Sequence, residues 1–179
     1  MKKTKKACAV LLAVLSVLLL TSAFAGGKKN KIQPELGNAV RWNEIVGVIT
    51  ALNVDNPVGN INSGTFAWSV ESGQALVDLS TGHTSFQVEG LVINGTTFSG
   101  TPGPVTAVTG TLVCNPGAGQ TNLDTASVPL DAQGDAHFTG TIANIPNPCD
   151  NPVFLIRIAQ PAGAAGLWIA TGADRIGGQ

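Results

Sequence analysis

Thr84-Ser85-Phe86-Gln87-Val88-Glu89-Gly90-Leu91-Val92-Ile93-Asn94-Gly95-Thr96-Thr97-Phe98 carries the plainest strand signal in the chain. Phe86 and Val88 share one parity and Ser85, Gln87 and Glu89 the other, the alternation of a strand with one face on a core. At Gly90 the phase slips, and Leu91 and Ile93 take over the apolar side. A glycine at a phase change predicts a β-bulge, because the extra residue often needs a conformation that glycine reaches cheaply. Asn94-Gly95 then predicts a tight hairpin turn.

The same grammar extends in both directions. Upstream, a strand is expected from Glu44 to Val54, where Val46 and Val48 alternate with Ile45 and Ile49 and both faces read as covered. Asn56-Pro57-Val58-Gly59-Asn60 reads as a turn, followed by a strand over Thr65 to Val70, the turn Glu71-Ser72-Gly73, and a strand over Ala75 to Leu79. Downstream, Thr106 to Cys114 is a strand with Val108, Leu112 and Cys114 on one side, and Asn115 to Asp124 a polar loop. Ser127 to Leu130 and Ala136 to Ala143 flank a hairpin connection at Asp131 to Asp135, and Val153 to Ala159 pairs with Leu167 to Thr171. Eight or nine short strands at this spacing predict a single all-β domain over 41–179, a β-sandwich of immunoglobulin-like or barrel-like form. Glycine is abundant (22 residues), tyrosine is absent and only 12% of residues are charged, in keeping with that class. Pro34 and Gly37 mark residues 26–40 as a flexible N-terminal linker.

The first 25 residues have a different grammar. Lys2, Lys3, Lys5 and Lys6 precede an apolar run from Ala7 to Leu20, then Ala23-Phe24-Ala25. This is the order of a helical secretory signal peptide cleaved between Ala25 and Gly26, with a core too short for a comfortable membrane span. The expectation is a secreted or periplasmic protein with no membrane span after processing. Removing four of the ten basic residues with the leader leaves six against eleven carboxylates, a net −5. From Ile32 onward only Arg41, Arg157 and Arg175 are cationic, so no footprint for nucleic acid or anionic lipid is expected.

Cys114 and Cys149 are the strongest local signal, and in an oxidising compartment they are expected to pair. Closing their 35-residue separation is worth about 4 kcal/mol in the chain-entropy picture. A reactive thiol pair or a metal site is the rival use, but neither histidine has ligand-like spacing. His83 lies near Asp78 and Ser80, residue types that build hydrolytic sites, yet no Gly-x-Ser-x-Gly elbow occurs and a solvated turn histidine is expected. His137 falls on the polar parity of its strand. Asp131, Gln133 and Asp135 have calcium-loop spacing, but Ile142 stands where the bidentate Glu belongs. Glu44, Glu71, Asp78 and Glu89 show no pairing that spacing establishes. Trp68 and Trp168 read as core, and Trp42 as the exposed tryptophan. The glycines of Cys114 to Thr121 lack the lysine of a phosphate loop, and Asn94-Gly95-Thr96 matches a glycosylation acceptor. Arg157 interrupts the apolar Phe154-Leu155-Ile156-Arg157-Ile158, either pairing with a carboxylate across the sheet or facing solvent. No catalytic residue, metal or cofactor is assigned.

Phe86-Gln87-Val88-Glu89-Gly90-Leu91-Val92, Val108-Thr109-Gly110-Thr111-Leu112-Val113-Cys114 and Val128-Pro129-Leu130-Asp131-Ala132-Gln133-Gly134-Asp135 form a pattern with two later stretches. These are Cys149 with Pro152-Val153-Phe154-Leu155-Ile156-Arg157, and Trp168-Ile169-Ala170-Thr171-Gly172. The pattern resembles a group of uncharacterised exported bacterial proteins, from about residue 45 onward. The resemblance implies a secreted β domain with one disulfide and carries over no active site. The expected role is non-catalytic: binding or assembly with a partner at the cell envelope or outside it, by loops or an edge strand. A structural subunit of a surface fibre or coat is the alternative, although residues 172–179 lack an alternating apolar strand, and a secreted hydrolase built around His83 or His137 is a third reading.

Overall fold

The computed structural model describes residues 37–51 and 54–177; the expected signal peptide, its cleavage site and the linker up to residue 36 lie outside them. Eleven strands follow in order: β1 (Ala39–Gly47), β2 (Ala67–Ser69), β3 (Ser72–Asp78), β4 (His83–Glu89), β5 (Val92–Asn94), β6 (Ala107–Cys114), β7 (Thr121–Asp124), β8 (Val128–Pro129), β9 (Ala136–Thr141), β10 (Val153–Ala159) and β11 (Ala165–Gly177). A 3-10 turn at Pro161–Gly163 is the only helical element among the described residues. The main sheet runs β7-β6-β10-β11-β1-β3-β4-β9, with β8 also on β6, and β2 and β5 form a small sheet of their own. Every strand pair is antiparallel.

The main sheet is curled, and three aromatic rings show how far. In a flat sheet β10 and β4 would stand four strand spacings apart, about 19 Å. Yet Phe154 on β10 and Phe86 on β4 have ring centroids 5.7 Å apart, with Trp42 of β1 5.5 Å from Phe154. Phe138 of β9 stacks on Phe86 at 5.7 Å. The inner faces of opposite walls therefore meet around these rings in a half-barrel. Gly110 of β6 marks the tightest approach, since a Cβ there would lie 2.8 Å from both Phe154 and Phe86. Along β10, Phe154, Leu155 and Ile156 are all fully buried, so this wall is covered on both faces.

The all-β expectation holds: the main sheet is a curled antiparallel sheet of nine strands, eight in one continuous path and β8 beside them on β6, with a small second sheet of β2 and β5. Several boundaries move. The first strand opens at Ala39 and ends at Gly47, so the linker stops before residue 39 and Ile49 and Val54 lie outside the strand, exposed. Trp42 is 1% exposed: it shares the inner parity with Val40, and Gly172 on β11 leaves the space its ring fills. Ser72 and Gly73 belong to β3 rather than to a turn, because Gly73 packs directly against Ile45, where a Cβ would sit 2.8 Å from the Ile45 Cβ. At Gly90 (φ +63°) the chain changes sheets instead of bulging within one strand: β4 stays in the main sheet and β5 pairs with β2. The reversal after β5 is wider than a two-residue hairpin, since the Ile93 N–H donates to the Thr101 carbonyl (2.9 Å). Thr121–Asp124, expected as loop, is a strand, anchored by the Thr111 hydroxyl donating to Asp124 (2.6 Å). Residues 172–177 are likewise strand, held on β1 by backbone pairing rather than by an apolar stripe.

Candidate functional site

The hydrolytic candidates are spoken for locally. Asp78 Oδ1 accepts hydrogen bonds from the Ser80 hydroxyl (2.6 Å), the Ser80 N–H (2.8 Å) and the Thr81 N–H (3.2 Å). These donors, the Ser80 hydroxyl first, lower the Asp78 pKa to about 2 although the group is exposed. The serine proton is thus directed at a carboxylate that braces the β3–β4 turn, not at an imidazole. His83 is exposed at the start of β4, opposite Thr141, and His137 is exposed on β9, opposite Gln87. Asp131 Oδ1 accepts from the Gln133 and Asp135 N–H groups (both 2.9 Å), and Asp135 Oδ1 accepts from the Gly90 N–H (2.9 Å). These two carboxylates clasp the β8–β9 turn to the junction where β4 gives way to β5. Among the described residues, no group of three or more His, Cys, Asp or Glu side chains is placed to hold a metal. Glu44 and Glu71 do share a shallow groove with Gln74 and Gln87, and Glu89 accepts from Ser72 (2.8 Å) and Gln87 (2.7 Å).

Cys114 and Cys149 form a disulfide, with Cα atoms 4.9 Å apart. It ties the end of β6 to the segment before β10, and reciprocal bonds between Asn115 and Asp150 (both 2.9 Å) flank it. The bridge is consistent with an oxidising compartment. No helix among the described residues is long and apolar enough to cross a membrane.

Arg157 pairs with a carboxylate, as one of its two expected roles required. Nη1 lies 3.3 Å from Asp124, Nε donates to the Gly166 carbonyl (2.7 Å) and Nη2 to the Ala165 carbonyl (2.6 Å). Burial pulls its pKa below the ordinary value and Asp124 opposes that pull. Trp68 and Trp168 are core residues, and the Trp168 indole donates to the Asn56 carbonyl (2.9 Å).

Two exposed aromatic side chains come together beside the small sheet. Six large hydrophobic residues are exposed among the described ones, and Ile49, Val54, Phe66 and Phe98 come from segments around the small sheet. Because β2 pairs with β5 in the register Ala67–Asn94, the residues just outside this pair, Phe66 and Gly95, come together. The chain after β1 runs alongside, with the Trp68 N–H donating to the Val48 carbonyl (2.9 Å). The result is a hollow of about 530 Å³ walled by Phe66 and Phe98 and rimmed by Thr50, Thr65, Asn94 and Thr96. Phe66 is 37% and Phe98 45% exposed. No lining residue is ionisable at neutral pH, so the hollow has no acid–base chemistry; it offers two aromatic faces, hydroxyls and one amide. The acceptor sequence Asn94-Gly95-Thr96 lies on its rim.

Strand parity does not reveal this site. Phe66 has the parity of buried Trp68, but it precedes the first paired residue of β2, where the inward–outward alternation no longer binds it. Phe98 lies in the reversal after β5, beyond any periodic pattern. Comparison with protein-family models, with curated proteins and with solved structures returns no match to this chain.

Proposed function

We propose that this is an exported, non-catalytic binding protein that recognises a partner at the cell envelope or outside the cell through the hollow between Phe66 and Phe98. The observation that carries the reading is the pair of exposed aromatic side chains, Phe66 and Phe98, that wall one uncharged hollow. Exposed aromatic faces in a concave setting favour recognition, because covering them removes apolar surface from water. The N-terminal leader and the disulfide support export. The curled sheet supports the barrel-like form of the expected sandwich, with recognition delegated to loops on a stapled scaffold. Residues 172–177 are committed to β1 along one edge and carry no alternating apolar side chains, so the fibre-subunit reading gains little from them.

The test is co-sedimentation of the oxidised protein, starting at Gly26, with isolated cell envelopes of the native host. A Phe66→Ser/Phe98→Ser variant should lose at least about tenfold in bound fraction, since each buried Phe contributes roughly 1.5–3 kcal/mol. Its thermal midpoint should fall by a few degrees, because each ring is already more than half covered in the free protein, so binding is compared at a temperature where both proteins are folded. Equal binding by variant and wild type, or no sedimentation of either, would rule the hollow out as the envelope contact.

A further inference from the structure

A second recess, built of different chemistry, opens between the turn at Gly59–Asn60, β7 and the β10–β11 connection. It is a shallow, open depression of about 570 Å³ lined by Asn60, Asn62, Asn122, Arg157, Gln160 and Leu167, among others. Its walls are fixed from within. Gln120 Nε2 donates to Asn60 Oδ1 and to Asn122 Oδ1 (both 2.6 Å), and Asn122 Nδ2 donates to Asn60 Oδ1 (3.0 Å). On the other side Arg157 holds the carbonyls of Ala165 and Gly166.

Hydrogen-bonding capacity is left over inside this frame. A guanidinium carries five N–H donors, and three are used by Gly166, Ala165 and Asp124. The side-chain amides of Asn62 and Gln160 make no hydrogen bond among the described residues, and each presents a donor beside an acceptor. Arg157 is the only charged residue lining the recess, and Asp124 compensates it at 3.3 Å. Leu167, 39% exposed, adds one apolar surface.

We propose that this recess binds a neutral, hydroxyl-rich ligand, a saccharide. Side-by-side donors and acceptors on Asn62 and Gln160 match neighbouring hydroxyls, which are themselves both donor and acceptor. The leftover Arg157 donors reach a further oxygen, and Leu167 covers an apolar ring face. A free anion is disfavoured because the one cation already has its carboxylate. Asn60, Asn122 and Arg157 are held in place before a ligand arrives, while the exposed Asn62 and Gln160 side chains are ordered on binding. The inference is independent of the Phe66–Phe98 hollow.

The experiment is a titration of the ¹⁵N-labelled, oxidised protein with maltotriose, cellotriose and mannotriose separately, with inorganic phosphate as the anionic control. At least one trisaccharide should shift the backbone amides of residues 60–62, 122 and 160–167. Asn62→Ala and Gln160→Ala should each weaken that binding about tenfold, the loss expected for one or two hydrogen bonds, with melting unchanged. No shift with any of the three sugars overturns the proposal. So do shifts confined to residues around Phe66 and Phe98, wild-type affinity in both variants, or a stronger response to phosphate than to any sugar.

Discussion

Replacing Gly110 by Ala tests whether the walls of the sheet meet as described. The new Cβ would sit 2.8 Å from Phe154 Cζ and 2.8 Å from Phe86 Cε1, against about 3.5–4.0 Å for a comfortable carbon contact. Neither ring has room to swing aside: Phe154 is fully buried against Trp42, and Phe86, 3% exposed, is backed by Phe138. Overpacking of this kind costs about 1–3 kcal/mol. The lower unfolded-state entropy of alanine returns about 0.4–1 kcal/mol. The net expectation is a loss of about 1–2 kcal/mol in urea unfolding at unchanged m-value, or about 2–8 °C in Tm for a domain of this size. Phe86→Leu should relieve the clash, so the double variant should be more stable than the sum of the single changes predicts by about 0.5–2 kcal/mol. A neutral or stabilising Gly110→Ala, or strict additivity with Phe86→Leu, would mean that β4 and β6 do not face each other and that the sheet is flatter than a half-barrel.

Three further outcomes are expected. Cys114→Ala/Cys149→Ala should lose about 4 kcal/mol, the chain-entropy value for a 35-residue separation, and reductant should lower wild type toward the same urea midpoint while leaving the variant unchanged. The Asp78 carboxyl should titrate by NMR near pH 2, and Ser80→Ala should move it back toward the ordinary carboxylate value. Because this pKa is lower folded than unfolded, the turn's contribution is present above about pH 4 and is lost as pH falls toward 2. Arg157→Met should cost about 1–3 kcal/mol and speed amide exchange across residues 160–167, and Arg157→Lys should not restore protection, since one ammonium cannot replace the three-way fork.

Strands with one-sided burial are legible in this sequence, and those held by their neighbours are not. Phe86 and Val88 announce β4 because apolar side chains mark the face that meets the core, and Val153 to Ala159 matches β10 at both ends because a continuous apolar run marks a strand covered on both faces. β7 and the second half of β11 escape that reading: Thr121-Asn122-Leu123-Asp124 and Gly172-Ala173-Asp174-Arg175-Ile176-Gly177 carry no apolar stripe, and ladder hydrogen bonds to β6 and β1 define them. Trp42 misleads for a related reason. Its neighbours Arg41 and Asn43 are polar, and the glycine that makes room for its ring lies 130 residues away at Gly172. The disulfide is legible once Cys8 is assigned to the leader, which leaves Cys114 and Cys149 as a pair. The hollow was not, since Phe66 and Phe98 meet only once β2 has paired with β5.

The placement of β11 between β10 and β1 sets the order in which the molecule can assemble. β1 is the first described strand and β11 the last, yet Val40 pairs with Gly177 and Gly47 with Ala170. A ribosome or translocase delivers β1 long before its partner exists, so β1 must wait with one edge bare while some 120 residues follow it. One half of the sheet, β1-β3-β4-β9, can pair as it emerges, but its junction with the other half, β10-β6-β7, waits for the last described strand. Contacts this distant predict folding in milliseconds to seconds rather than microseconds. They also predict that a chain cut short before residue 165 loses the single cooperative transition in urea, since β11 is the strand that joins β10 and β6 to β1.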